Sequence, residues 1–294
     1  MANHFAFSLL WVIVCGCARG SLLRGSPHSV RYHRLRRTAA AVAGESVVVA
    51  DGKISSNAFV GDGVTLGLDV SIGPGAVVLG PTVIGDRVWI GPGAVIGGPP
   101  ERTGHEQNSA WTGHLMHRGV EIGDDVIIRE HVVIHQGSER TTRVGNSSWL
   151  LNSSYLAHDV VLGSEVTVSA GVKIGGHATI GDRCNLGMNA LVHQRRVVAG
   201  GAMIGMGTPV TRDVPPFAKV FGTPPRLIGL NVVAMERLGL DATVIEALRL
   251  AYQNGDLLLD DATDLAALVE YTASWRSLAG RIPVKSALVG RSTS

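Results

Sequence analysis

The sequence predicts an all-β solenoid, a stack of short strands and tight turns that repeats along one axis. Three observations lead to this prediction: an aliphatic residue recurs every six positions, glycine accounts for 38 of the 294 residues, and aromatic residues make up only 5%. A narrow interior has room for aliphatic and small side chains, and frequent tight turns favour glycine because it tolerates positive φ angles. An amphipathic helix would repeat every 3.6 residues, which a period of six does not fit.

The aliphatic repeat runs through most of the chain. Small or β-branched residues, such as Ala178 and Cys184, stand four places after it and give each hexad a second inward position. One hexad cannot bury its apolar side alone, so neighbouring hexads supply the core, and we expect Cys184 to be a buried structural thiol. The repeat runs from Ile54 through Val60, Leu66, Ile72, Val78, Ile84 and Ile90 to Ile96, resumes at Ile122, Ile128 and Ile134, and continues without a break from Val144 to Val210.

Changes in this pattern divide the chain into parts. The period is lost at 99–120 and 138–143, which we expect to form loops that project from the solenoid. After Val210 the segments DVPPF and GTPPRLIGL end the repeat, and helices are expected in AMERLGL, at 242–253 with Asp241 as N-cap, and at 261–278. The predicted parts are a targeting segment at 1–44, the solenoid at 45–215, a small C-terminal α-helical domain at 216–281 and a tail at 282–294.

The first 44 residues have the composition of an address. An apolar run at 5–14 is followed by a stretch with six arginines and no acidic residue. Signal peptides show the first feature and organelle transit peptides the second, so we expect delivery to a plastid through a two-part segment, with a mitochondrial presequence as the alternative. The other 20 basic and 24 acidic residues give 45–294 a net charge of −4, which does not call for a nucleic-acid partner. No apolar run reaches the roughly 18 residues of a membrane span.

A hexapeptide period is the signature of proteins that fold as left-handed parallel β-helices. The resemblance to them implies the handedness and three hexads in each coil, so that residues 18 apart stack on one another. Two such columns of stacked residues would then lie on one edge of the prism, with His193 beside Gln194. One column is His158, Gly176 and Gln194, and the neighbouring column is Asp159, His177 and Arg195.

This edge gathers groups that can move a proton and stabilise a developing negative charge. A neutral imidazole, such as that of His158, can take a proton from a hydroxyl group. Asp159 beside it would favour the useful tautomer, and the bare backbone N–H of Gly176 would suit a developing oxyanion. The sequence shows no serine elbow and no Cys–His pairing, so the enzyme itself need not be the nucleophile.

Six segments make the resemblance more specific. The chain between about residues 50 and 255 resembles the acyl-acyl-carrier-protein–UDP-N-acetylglucosamine O-acyltransferase family, hexapeptide-repeat enzymes that open lipid A synthesis. The strongest signals are AHD, GGH, VHQ and DVPP in this order and spacing. They lie in the segments IREHVVIHQGS, YLAHDVVLG, IGGHATIGD, NALVHQ, VTRDVPPFAKVFGTPPRLIGLN and AMERLGL.

The resemblance implies a role for each matching residue. His158 matches the base that deprotonates the glucosamine 3-hydroxyl, with Asp159 as its partner and the Gly176 backbone as oxyanion donor. Met206 matches a position that limits the length of the acyl chain. The family further implies a homotrimer, an acyl carrier protein whose phosphopantetheine thioester is the donor, UDP-N-acetylglucosamine as acceptor, and no metal or cofactor. Further positions that match substrate-binding residues are His177, His193, Gln194, Asn231 and Arg237.

The chain departs from the family pattern at three places. Tyr155 stands where the family has a histidine, three residues before the base, and we retain it as a substrate-binding residue. Residues 99–117 differ from the acidic and lysine-containing loop that touches the nucleotide, and Val233 replaces an acidic residue.

Two other functions remain open at this point. One is a γ-class zinc carbonic anhydrase, which needs three histidine ligands at converging positions, and the other is a catalytically silent scaffold. We also expect His131 and His135 to be surface residues, and Arg196, which falls on an inward position, to cause a local bulge, because an inward arginine is costly.

Overall fold

The computed structural model describes residues 54–105, 107, 117–259 and 268–289, without the side chains of Glu270 and Ser274. All the described residues belong to one compact unit, Ala39–Ser294. The targeting segment predicted at 1–44 lies outside the described residues. So do the middle of the 99–120 loop, the first part of the helix predicted at 261–278 and the end of the tail.

Three parallel sheets form the sides of a prism, and each coil contributes one strand to each sheet. Tyr155 pairs with Lys173, and Lys173 with Leu191, so strands 18 residues apart are neighbours as the period predicts. Sheet I contains β1 (Phe59–Val60), β4 (Val77–Val78), β7 (Val95–Gly98), β10 (Val133–His135), β13 (Tyr155–Leu156), β16 (Lys173–Ile174), β19 (Leu191–Val192) and β22 (Pro209–Val210).

The other two sides are built in the same way. Sheet II contains β2 (Val64–Leu66), β5 (Thr82–Ile84), β8 (Val120–Ile122), β11 (Thr142–Val144), β14 (Val161–Leu162), β17 (Thr179–Ile180) and β20 (Val197–Val198). Sheet III contains β3 (Ser71–Ile72), β6 (Trp89–Ile90), β9 (Ile127–Ile128), β12 (Trp149–Leu150), β15 (Thr167–Val168), β18 (Asn185–Leu186), β21 (Met203–Ile204), β23 (Ala218–Phe221), β24 (Arg226–Leu230) and β25 (Lys285–Ser286).

The two inward positions of each hexad fill the prism, as the sequence predicts. Ile128, Leu150 and Val168 are fully buried, and Val160 and Ala178 are buried at the second position. Burying one such aliphatic side chain contributes roughly 1.5–3 kcal/mol. Cys184 is a free, buried thiol in the second set, as expected, and burial raises its pKa to about 12.

Arg196 corrects one expectation. Strand β20, which follows it, keeps an unbroken register with β17, so the bulge that we expected there is absent. Its guanidinium instead lies 3.4 Å from the carboxylate of Asp213. Because Asp213 is nearly buried and also accepts from the backbone N–H of Val197, the arginine has a charged partner and the repeat keeps its phase.

The C-terminal part both extends and covers the prism. Segment 216–231, which we assigned to the helical domain, instead contains the antiparallel pair β23 and β24. Strand β23 pairs with β21, so this pair continues sheet III. Apolar residues of both strands, among them Val220 and Leu227, are buried. Three helices follow: α1 (Val232–Arg237), α2 (Ala242–Gln253) and α3 (Val269–Ser277). Asp241 precedes α2 as predicted, but its side chain makes no capping hydrogen bond. None of the described helices combines the length and apolar character that a bilayer span requires.

Candidate functional site

The site lies at the edge between sheets I and II, on the turns 157–160, 175–178 and 193–196, which we call the His158 edge. The backbone N–H of His177 donates to the carbonyl of His158 over 3.1 Å, and that of Arg195 donates to the carbonyl of Gly176 over 2.9 Å. These bonds confirm the columns expected from the spacing of 18. Asp159, His177 and Arg195 occupy the left-handed turn position, with φ of 63°, 60° and 61°.

His158 and Asp159 form a hydrogen-bonded dyad. The ring Nδ1 of His158 lies 2.6 Å from Oδ2 of Asp159. An ionised carboxylate only accepts hydrogen bonds, so Nδ1 holds the ring proton of a neutral His158 and Nε2 has a free lone pair. The His158 side chain is 13% exposed. In its neutral form the ring therefore presents the Nε2 lone pair to the groove, as a general base requires.

The Asp159 carboxylate is fully buried but well supplied with donors. Its Oδ1 accepts from the backbone N–H groups of Ser138, Glu139 and Arg140 at 3.0, 2.8 and 2.7 Å. Its Oδ2 accepts from the Ser138 hydroxyl at 2.6 Å as well as from His158. Burial alone would raise the pKa of Asp159, but the bonds from Ser138, Arg140, His158 and Glu139 hold it well below its usual range. Asp159 is therefore ionised at neutral pH.

His177 stands behind the dyad. Its Nε2 is 3.5 Å from Oδ2 of Asp159, and its ring meets that of His158 edge to face at a centroid distance of 5.2 Å. Burial lowers the pKa of His177, although Asp159 opposes the shift. One ligand atom each from His158, Asp159 and His177 lies within 4.8 Å of the others. The oxygens of Asp159 already accept hydrogen bonds, and a γ-class zinc site would need a third histidine, so this set does not fit such a metal.

The neighbouring imidazole of His158 leaves no room for a side chain at Gly176. A Cβ atom at this position would lie 2.7 Å from Cε1 and 2.8 Å from Nε2 of the His158 ring. The φ angle of Gly176 is not in the left-handed region, so a side chain here would be excluded by a clash with the His158 ring and not by backbone strain. None of the described residues accepts a hydrogen bond from the Gly176 N–H.

At the edge between sheets II and III, the equivalent backbone N–H groups have side-chain acceptors. There, Asp86 accepts from the equivalent N–H of Leu68, and Asp182 accepts from that of Ser164. The column at Gly176 continues to Gln194, whose side chain makes no such bond among the described residues. The Gly176 N–H thus has no acceptor among the described residues and is available to a ligand.

A groove of about 500 Å³ runs along sheet I from the His158 edge. Outward side chains of successive strands form its floor, namely Tyr155, Lys173, Leu191 and Pro209. His158, Gly176, His193 and Gln194 also line it, whereas His177, which was predicted with them, does not. His193 Nδ1 lies 3.1 Å from the Gln194 carbonyl, so Nδ1 is the donor in a neutral ring, and Nε2 has no hydrogen bond to the described residues.

Tyr155 joins the groove to the first loop. Its hydroxyl donates to the carboxylate of Glu101, which also lines the groove. Burial and this hydrogen bond raise the pKa of Tyr155 well above its usual value, so the phenol stays protonated. A tyrosine at this position therefore presents a fixed polar group to a ligand.

Sequence reasoning missed several residues of this region. Ser138, Arg140, Glu101 and Lys173 were not predicted, and His135, which we expected at the surface, is only 15% exposed in its side chain. The surface prediction for His135 is wrong because its Nδ1 donates to the Pro99 carbonyl over 2.6 Å and its ring packs against Tyr155. His131 is exposed, as expected. The break of phase at 138 was the one available signal.

Three predicted residues lie away from the His158 edge. Met206 is 58% exposed and belongs to the edge between sheets III and I, the turns 151–154, 169–172, 187–190 and 205–208, which we call the Met206 edge. Asn231 is the N-cap of α1: its side chain accepts from the Ala234 N–H and donates to the Gly201 carbonyl. Arg237 is exposed in the last turn of α1. Within one chain, these residues are not brought to His158.

Comparison with known proteins gives a consistent set of relatives. The chain is 35% identical over 151 residues to the acyl-acyl-carrier-protein–UDP-N-acetylglucosamine O-acyltransferase of Alkalilimnicola ehrlichii; the match covers 49% of this chain and 58% of that protein. It is 31% identical over 214 residues to the enzyme of the same name from Stutzerimonas stutzeri, covering 68% of this chain and 83% of the relative.

Structural comparison and a family model agree with these relatives. The UDP-N-acetylglucosamine acyltransferase from Bacteroides fragilis superposes with a TM-score of 0.67 at 26% identity, covering 79% of this chain and 100% of that one. A family model described as UDP N-acetylglucosamine O-acyltransferase, domain 2, matches residues 213–272. The fold is the left-handed parallel β-helix: the hexads predicted the solenoid, and the family resemblance predicted its handedness.

Proposed function

Since the chain belongs to the acyl-acyl-carrier-protein–UDP-N-acetylglucosamine O-acyltransferase family, we propose that its groove transfers an acyl or 3-hydroxyacyl chain from acyl carrier protein to the 3-hydroxyl of UDP-N-acetylglucosamine. This is the reaction that opens lipid A synthesis in the family. The observation that carries the proposal is the arrangement of His158, Asp159 and Gly176. It places a free imidazole nitrogen, a buried carboxylate and an open backbone N–H at one end of the groove.

The chemistry follows from these three groups. Nε2 of His158 takes the proton of the sugar hydroxyl while that oxygen attacks the thioester carbonyl carbon. The negative charge on the carbonyl oxygen is stabilised by the Gly176 N–H. The C–S bond then breaks, and the imidazolium returns its proton to the phosphopantetheine sulfur. Asp159 holds the imidazolium during the interval, and no covalent enzyme intermediate is needed.

The two alternative functions are not favoured. A γ-class carbonic anhydrase needs three histidines around zinc, whereas the described site combines two histidines with an aspartate that is already hydrogen-bonded. A silent scaffold would not need the buried and fully satisfied Asp159, nor a glycine under the His158 ring. The relatives named above are all acyltransferases.

The direct test is turnover. The full chain is incubated with acyl carrier proteins that hold acyl chains of different length, together with UDP-N-acetylglucosamine, and the products are separated and weighed by mass spectrometry. We expect the mass of the sugar nucleotide to rise by one acyl group. If a folded protein leaves the sugar nucleotide unchanged with every donor, the acyltransferase proposal fails and the scaffold function is favoured.

We propose further that the active assembly is a homotrimer, in which the Met206 edge of one chain faces the His158 edge of its neighbour. The column of the Met206 edge is real: the N–H of Asn189 donates to the Ala170 carbonyl, and that of Gly207 to the Met188 carbonyl. Met188 and Met206 are 51% and 58% exposed, so the column presents flexible apolar side chains to a partner. An acyl chain between the two edges would run parallel to the prism axis.

Met206→Gly should shift the preference of the enzyme to longer acyl donors. Removing the side chain would lengthen the space for the acyl chain, and each methylene that gains burial contributes about 0.8 kcal/mol. Rates with a series of donors measure the shift, while the rate with short donors should change little. An unchanged chain-length profile, or a fully active monomer by light scattering, would contradict the assignment.

A further inference from the structure

The loop that interrupts the repeat after β10 wraps the catalytic carboxylate. Ser138, Glu139 and Arg140 aim three consecutive backbone N–H groups at Oδ1 of Asp159. Successive amide groups that converge in this way form an anion-binding concavity. Here the anion is a side chain of the same protein. The arrangement fixes Oδ1 and leaves Oδ2 to face the imidazole of His158.

The Ser138 hydroxyl determines what Oδ2 can do. Its oxygen is 2.6 Å from Oδ2 of Asp159 and 3.5 Å from Nδ1 of His158. A hydroxyl has one proton, and an ionised carboxylate can only accept, so that proton goes to Oδ2. Ser138 and His158 thus share one carboxylate oxygen, and the serine donates a second hydrogen bond that holds this oxygen in place.

The lone pairs of the Ser138 oxygen also have a partner. Nη1 of Arg102 donates to this oxygen over 3.2 Å and lies 3.0 Å from the Glu139 carboxylate. Arg102 comes from the first loop, next to Glu101, which accepts from Tyr155 in the groove. Of these two neighbouring loop residues, Glu101 therefore contacts Tyr155 in the groove, and Arg102 contacts Ser138, which supports the dyad.

We propose that Ser138 is a positioning residue of the acyl transfer, and that Arg102 acts on the dyad through the Ser138 hydroxyl. The inference rests on the proposed function. The chain of hydrogen bonds runs from the guanidinium of Arg102 to Ser138, from Ser138 to Asp159, and between Asp159 and His158. It keeps Oδ2 directed at Nδ1 of His158, so that Nε2 stays free for the substrate proton.

Loss of the hydroxyl has a definite structural consequence. Nε2 of His177 is only 3.5 Å from Oδ2 of Asp159. Without Ser138, this second histidine competes with His158 for the same oxygen, and the tautomer of His158 is no longer fixed. Other charged or titratable groups that face the His158 ring across the groove are Glu101, Tyr155, Lys173 and His193, and none of them changes in the variants below.

The experiment compares Ser138→Ala with Ser138→Thr in the full chain. Threonine keeps a hydroxyl, and alanine does not. We expect Ser138→Ala to lower kcat about tenfold, since a small displacement of a catalytic group has an effect of this order or larger, with little change in KM. Ser138→Thr should recover most of the loss. The matched control is Arg143→Ala, which removes an exposed arginine and its 3.0 Å ion pair with Glu121 and should leave kcat unchanged.

A spectroscopic readout separates this inference from the proposed function. Proton and ¹⁵N NMR of histidine-labelled protein at alkaline pH, without donor or acceptor, shows which ring nitrogen of His158 holds the proton. We expect a single Nδ1–H tautomer in the wild type, a mixture in Ser138→Ala, and restoration in Ser138→Thr. If the wild type transfers no acyl group, the proposed function fails, but this comparison still decides whether Ser138 orients His158.

A double-mutant cycle tests the part assigned to Arg102. Residues that act through one hydrogen bond are not additive. We therefore expect Arg102→Ala to lower kcat by less than Ser138→Ala, and to add nothing when combined with it. Additive losses would remove Arg102 from the proposal. Unchanged kcat and an unchanged His158 spectrum in Ser138→Ala would overturn the inference as a whole.

Discussion

His158→Ala should lower the rate of acyl transfer by about 10²–10⁴-fold, the range for loss of a general base. The variant removes the only ring nitrogen that the dyad presents to the groove, while the carboxylate of Asp159 keeps its donors from Ser138, Glu139 and Arg140. Initial rates at saturating donor and acceptor measure the effect. KM should change less than kcat, because the base acts on the transition state.

The variant should also fold normally, since the His158 side chain lies outside the packed interior of the prism. Circular dichroism and thermal unfolding check this point. Arg143→Ala is again the control: it removes an exposed side chain of β11 on sheet II, and it should keep wild-type activity. Near wild-type turnover in folded His158→Ala would remove His158 from the mechanism.

Gly176→Ala should be nearly as damaging, although it adds a single methyl group. The new Cβ would lie within 2.8 Å of two atoms of the His158 ring, so the imidazole must move away from Asp159 or the turn must open. Either change also displaces the N–H that we assign to the oxyanion. Loss of one oxyanion donor costs about 10²–10³-fold in kcat, and we expect a loss of at least about 10²-fold by the assay used for His158→Ala.

Gly229→Ala offers a control for this substitution. An added Cβ at Gly229 meets no atom within 4 Å, and its φ is not in the left-handed region, so activity and stability should stay near those of the wild type. A crystal structure of Gly176→Ala should show a displaced His158 ring. An active Gly176→Ala enzyme with the ring in its original position would contradict both the contact and the oxyanion role.

The repeat made most of the fold predictable from the sequence. A period of six with two inward positions determines which residues face the core, and stacking at 18 then determines the neighbours of each turn. That is why His158, Gly176 and Gln194 could be placed in one column before the structure was known. Cys184 followed from the same rule, because its hexad position is buried in neighbouring coils, as at Ala178 and Ala190.

The supports of the site were not predictable in this way. Three of the donors to Asp159 are backbone N–H groups of Ser138, Glu139 and Arg140, and a backbone group has no signature in the sequence. They lie in a loop, where the period gives no positional information. The burial of His135 depends on another loop residue, Pro99, and was missed for the same reason.

The C-terminal residues show a different limit. Asn231 and Arg237 were named through the family resemblance alone, and the described chain uses Asn231 to cap α1 and to bind the Gly201 carbonyl. Arg196 was judged from its inward position, without its partner Asp213, which follows the end of the repeat. Contacts between periodic and aperiodic parts require the structure.

The most direct test of the account is the position of the new ester bond. The full chain is incubated with UDP-N-acetylglucosamine and a long-chain or short-chain acyl donor. The product is purified, and its proton–carbon correlation spectrum is recorded. The account predicts one acyl group, esterified at the 3-hydroxyl of the glucosamine ring, with one equivalent of free carrier thiol released. A product acylated at another position, an acyl group retained covalently by the protein, or an unmodified sugar nucleotide would contradict it.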